Sequence, residues 1–171
     1  MGSSSGTAAF VKTDTTTQGN WKSVYGAQGA IVLGDSSSLP SFATITPAAN
    51  QSYVWSPSTT DVRALLKLAS APDRVAGCWY SFSTFTVALN FTDGQAHQFA
   101  LYALDWDNSL GGRTQKIEVL DAKSAVLDTR TLANFQGGQY LVWTLSGNVT
   151  LRITNTYGPA NNAVVGGLFF Q

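Results

Sequence analysis

The sequence predicts an all-β chain folded as a two-sheet antiparallel sandwich. Two observations carry this. Apolar residues recur at alternate positions along several short segments, as a strand with one buried face requires. Turn-forming clusters punctuate those segments at regular intervals.

In "STFTVALNF", Phe85, Val87, Leu89 and Phe91 point one way, while Thr84, Thr86, Ala88 and Asn90 point the other. "TDGQ" at 92–95 ends that run, and "HQFALYAL" begins the next. "QKIEVLD", then "DAKS", then "FQGGQ" and "QYLVWTL" continue the alternation. After "LSGN", Val149, Leu151 and Ile153 alternate with Thr150, Arg152 and Thr154. The last segment, "NAVVGGLFFQ", is apolar on both faces and reads as an interior strand, with Gly166 and Gly167 allowing a bulge or close backbone approach. "DVRALLKLAS", 61–70, fits either a short capped helix or a strand; the Ser and Pro clusters around it favour the strand. No internal repeat is visible.

Length and composition fit one domain with a real core. The chain has 171 residues, and only 12% are charged, ten basic against ten acidic. Such a neutral surface carries no footprint for nucleic acid or an anionic membrane. No apolar run approaches a membrane span. A single cysteine, Cys78, excludes an intrachain disulfide, and a single histidine, His97, excludes a multi-histidine metal site. The opening "MGSSSGTAAF" has neither a basic nor an apolar stretch, so residues 1–8 read as a tag or linker and 9–171 as the domain.

The chemistry concentrates in "LYALDWDNSLGGRTQ". Asp105 and Asp107, two residues apart, would share one face of a strand about 7 Å apart, a spacing reminiscent of a hydrolase carboxylate pair. Paired aspartates in a turn more often serve the turn itself or a calcium ion, and Asp105, Asp107 and Asn108 could hold a structural calcium. No cofactor is required. A Ser-His-Asp triad would depend wholly on His97, which reads as an edge-strand residue.

Five tryptophans are present. Trp143 and Trp79 lie in apolar strands and belong to the core or its edge. Trp106, Trp21 and Tyr25 have turn residues for neighbours. An exposed indole can stack on the C–H face of a pyranose while Asp, Asn and Arg bond its hydroxyls. Asp105, Trp106, Asp107 and Arg113 make such a set. The alternative is an Asp–Arg ion pair pinning a loop, with Trp106 folded over the sheet edge.

The run from "HQFALYALDWD" through "RTQKIEVLD" and "GGQYLVWTLSGNVTLRIT" to "NAVVGGLFF" resembles the second half of jelly-roll carbohydrate-binding modules. The similarity is to the galactose-binding-like and malectin-like domains attached to secreted bacterial carbohydrate-active enzymes. The resemblance covers most of residues 9–171. It implies a jelly-roll sandwich that binds polysaccharide without catalysis, outside the cell, as a monomeric module of a larger chain. Carried over by position, Asp105, Trp106, Asp107 and Arg113 would bind ligand, joined by Trp21 and Tyr25 if the first loop folds beside them. The chain departs from the pattern in lacking a clear calcium loop near its start and in carrying "SLGG" before Arg113. An adhesion or structural domain, and less favourably a small glycosidase or lyase, are the competing classes.

Overall fold

A computed structural model describes residues 5–171. The strands are β1 (Thr7–Asp14), β2 (Gly29–Val32), β3 (Ser37–Ser38), β4 (Ala43–Ala48), β5 (Gln51–Thr59), β6 (Leu65–Leu66), β7 (Arg74–Ser81), β8 (Thr84–Phe91), β9 (His97–Ala103), β10 (Gln115–Asp121), β11 (Val126–Leu132), β12 (Gln139–Ser146), β13 (Asn148–Asn155), β14 (Ala163–Val165) and β15 (Gly167–Phe170). The helical content among the described residues is two 3-10 turns, Trp21–Ser23 and Ser109–Gly111. No helix there is long and apolar enough to cross a membrane.

The strands form an antiparallel jelly-roll sandwich. One sheet has six strands in the order β1-β12-β9-β15-β2-β3, and the other has five, β11-β10-β13-β8-β4. The alternation read from the sequence sets which face is buried. On β8, Phe85, Val87, Leu89 and Phe91 point into the sandwich, as do Val149, Leu151 and Ile153 of β13. Trp143 is fully buried there, and its indole N–H donates to Asp128 at 2.7 Å.

The six-stranded sheet is buried on both faces. Phe99, Leu101, Leu141, Leu168 and Phe170 face the sandwich interior. Ala100, Tyr102, Tyr140, Val142 and Phe169 face the other way, into a second core. The segment after β1 folds back over that outer face and supplies Trp21 and Tyr25 to it. Leu65 and Val75 help close the layer. At about 25 cal/mol per Å² of apolar surface, a large aromatic or aliphatic side chain of this kind contributes about 1.5–3 kcal/mol on burial.

A third, four-stranded sheet lies beside the sandwich, in the order β14-β7-β5 with β6 also on β7. The chain's last segment joins it to the sandwich. β14 belongs to the small sheet, and β15, one residue later, lies at the centre of the six-stranded sheet. Gly166 makes the step, donating its N–H to Tyr102. A Cβ at Gly167 would sit 2.7 Å from Leu65, so the close approach expected there is a packing requirement at Gly167.

The segment 61–70 is mostly turn, with only Leu65–Leu66 as strand and no helix. Residues 1–4 of the expected linker lie outside the described residues, and its end belongs to the fold. Thr7 and Ala8 are in β1, where the Thr7 and Ser146 hydroxyls bond at 2.6 Å.

Gln115 holds β14 to the sandwich. This fully buried side chain donates from Nε2 to the Val164 carbonyl at 2.9 Å and accepts the Val164 N–H at 2.8 Å, as a neighbouring strand would. Gln115→Ala leaves both backbone groups unpaired, at about 1–3 kcal/mol each. In urea denaturation we expect a lower midpoint and an unchanged slope, equivalent to a loss of about 2–6 kcal/mol.

Candidate functional site

A cleft of about 350 Å³ opens where the small sheet meets the loops 105–113 and 156–162. Strand geometry builds its aromatic walls. Gln51 pairs with Tyr80 and Tyr53 with Cys78, so Tyr53, Cys78 and Tyr80 share a face. Val164 pairs with Tyr80 and joins the same face. Cys78 and Val164 are buried and form the floor. Burial pushes the Cys78 thiol up to about 12, against the opposing charge of Arg113.

Trp55, two residues along β5 from Tyr53, lines the cleft as well, beside a register shift between Val54 and Ser56. Tyr53 and Trp55 meet edge to face at 6.0 Å, and Tyr80 and Phe82 do the same at 5.9 Å. Tyr53 and Phe82 remain 54% and 52% exposed, so their rings are open to a ligand.

The polar side is organised by Arg113. Its side chain is 4% exposed, and the guanidinium bonds the carboxylates of Asp105 and Asp107 through Nη1. Its backbone N–H donates to Asp105 at 2.8 Å, and Nε donates to the side-chain oxygen Oδ1 of Asn162 at 2.7 Å. Nη2 has no hydrogen-bond partner among the described residues, and neither has Nδ2 of Asn162; both residues line the cleft. The guanidinium carbon lies 5.5 Å from the centre of the Trp55 ring, a cation–π contact. Asp107 keeps 44% of its side chain exposed. Burial raises its carboxyl, but hydrogen bonding and the charge of Arg113 outweigh that and hold it below the usual carboxylate range.

The loops are fixed before any ligand arrives. Asn155 Nδ2 donates to the carbonyls of Phe82, Gly158 and Asn161. Asn161 is buried and donates to the Ser109 carbonyl at 2.9 Å, and the Tyr157 hydroxyl donates to Leu110 at 3.0 Å.

Two of the sequence-predicted residues, Asp107 and Arg113, line the cleft. Asp105 is fully buried behind Arg113 and acts as its counter-ion. The expectation for Trp21 and Tyr25 is corrected. They are 4% and 2% exposed because the first loop packs over the outer face of the six-stranded sheet, away from the cleft. Trp21 donates its indole N–H to Leu66, and the Tyr25 hydroxyl donates to Asp14. Trp106 is half-buried on that second core, with the Arg63 guanidinium 4.7 Å over its ring, so it is no platform.

The calcium expectation is also corrected. Both Asp105 oxygens and one of Asp107 bond Arg113, and the Asn108 side-chain oxygen accepts from Gln136 at 2.8 Å. The guanidinium sits where a cation would be, so these residues do not fit a calcium ion. Both aspartates converge on one arginine, and the sole glutamate, Glu118, is ion-paired with Arg152 and Lys116. His97 opens an interior strand, not an edge one, and stacks on Phe42 at 3.8 Å with Nε2 bonded to Asp93.

The aromatic walls escape the sequence reading because Tyr53, Trp55 and Tyr80 lie in strands and Phe82 directly follows one. Their signal is present as "YVW" and "YSF", rings at alternate positions beside turn residues.

No family model matches the sequence, and no curated protein matches it. Among solved structures, the chain is similar to exo-β-1,3-galactanase from Phanerochaete chrysosporium. The match to a variant bound to β-1,3-galactotriose has 16% identity and a TM-score of 0.39; the match to the galactose-bound form has 15% and 0.36. Each covers 80% of this chain and 30% of that protein. The chain therefore spans less than a third of that protein's length, and the site is read from its own residues.

Arg113→Met strands the buried Asp105 carboxylate and should cost about 3–5 kcal/mol at neutral pH. Asp107 has a lowered folded-state value, so its ion pair stabilises fully above pH about 4 and loses that contribution as pH falls through the folded value. Stability measured across pH should show the acid-side loss in the parent, with a shallower slope in the variant.

Proposed function

We propose that this domain is a non-catalytic polysaccharide-binding module. The observation that carries the reading is the cleft itself. Exposed rings on two walls face a fixed guanidinium, an amide and a partly exposed carboxylate. A pyranose presents the matching surfaces, C–H faces for the rings and an equator of hydroxyls for the polar groups. Each polar pair contributes about 1 kcal/mol net. A few of them beside aromatic walls suit modest, reversible affinity.

The cleft lies at the small end of the range for ligand sites. It fits one or two sugar units better than a long stretch of chain. Among the described residues a lone exposed carboxylate lines it, which supports binding over acid–base hydrolysis. In this reading the module works outside the cell, joined in a longer chain to a carbohydrate-active enzyme. Tethering raises the local concentration of that enzyme at its substrate, so weak sites suffice.

A protein partner is the competing reading, favoured by the exposed Tyr53 and Phe82 rings. Sedimentation with and without added oligosaccharide separates the two.

Affinity electrophoresis on a panel of glucans, xylans, mannans and galactans tests the proposal. We expect retardation on at least one, and a drop of about tenfold in affinity, or about 1.4 kcal/mol, for Tyr53→Ala with Phe82→Ala. Trp106→Ala should leave retardation within about twofold, a change smaller than about 0.5 kcal/mol. A folded protein that migrates freely through every polymer would end the proposal.

A further inference from the structure

We infer that the cleft selects uncharged sugar units and disfavours uronic acids, with Asp107 setting the preference. The inference rests on the sugar-binding reading above and deepens it.

An arginine in a binding cleft ordinarily invites a carboxylate, because its fork matches the two oxygens. Here that charge is already spent. Two carboxylates converge on Nη1 of Arg113, and Nε bonds a neutral amide oxygen. What the arginine offers a ligand is Nη2 alone, beside Nδ2 of Asn162. These are two single donors, suited to hydroxyl or ring oxygens.

The other charges near the cleft point the same way. Asp107 and Arg113 are the acidic and basic residues lining it, and Asp105 stands directly behind the guanidinium. Two carboxylates against one guanidinium leave a net negative site, and Asp107 is the exposed part of it. Among the described residues no lysine or second arginine lines the cleft to offset it. A ligand carboxylate placed against Nη2 would come near Asp107. It would also lose water between the aromatic walls, without a free cation in exchange. Like charges a few ångströms apart at a partly solvated site weaken binding by about tenfold. Asp107 is open to solvent, so added salt should reduce the effect.

The test uses hexose oligosaccharides of gluco, galacto and manno configuration, each paired with the hexuronic acid oligosaccharide that differs only at C6. Titration calorimetry on the folded domain at low salt should show binding to the neutral member of at least one pair. The acidic member should bind about tenfold or more weakly. For the parent protein, half-molar salt should narrow that ratio. Asp107→Asn should weaken the neutral ligand and still narrow the ratio, to about threefold or less, because the amide keeps the shape and removes the charge. Its melting profile confirms folding, and the salt series on the parent stands independently of it.

An acidic member binding as tightly as its neutral partner overturns the inference while leaving sugar binding intact. So does a ratio that neither salt nor the substitution moves. Failure of every pair to bind removes the sugar-binding reading and this inference together.

Discussion

The buried ion pair of Arg113 with Asp105 is the joint on which the cleft depends. It ties the loop leaving β9 to the start of β10, and through Asn162 it reaches the segment before β14. Removing charges from water costs several kcal/mol per ion, and their mutual attraction rarely returns more than that. Such a pair is better understood by what it orients than by what it stabilises. It fixes one donor nitrogen at the cleft and holds Asp107 beside it.

That joint works because the scaffold behind it is rigid. The six-stranded sheet has an apolar layer on each face, so β9, β12 and β15 have little freedom to shift. Interiors packed in this way transmit strain and do not absorb it. The outer layer is what consumes Trp21 and Tyr25. The switch at Gly166 then carries β14 out of the sandwich to form the cleft floor, held by the Gln115 side chain. Floor, walls and polar rim each belong to an element anchored in a core.

The polar loops follow the same logic on a smaller scale. Asn155 and Asn161 satisfy loop carbonyls that would otherwise need water, and they lock the 156–162 loop to the loop carrying Ser109. A site ordered in advance avoids the entropic cost of arranging side chains on binding. This matters most where each contact contributes little.

Sequence alone determined the all-β class, the inward residues of β8 and β13, the Gly167–Phe170 part of the last segment as an interior strand, and the grouping of Arg113 with its aspartates. These are local properties. Alternation fixes a strand's buried face, and turn residues fix its ends. Tertiary structure decided which rings meet solvent. Trp21 and Tyr25 sit among polar and glycine residues, yet a loop folded back over a sheet buries them. Tyr53 and Phe82 sit in strand patterns, yet a small sheet beside the sandwich leaves them open. Exposure depends on what lies across the gap, and for these residues the covering or missing neighbours are far away in sequence. The same holds for Asp105 and Asp107, two residues apart in the chain. Arg113 takes both, but burial makes one a counter-ion and leaves the other at the cleft, a division that no spacing between them encodes.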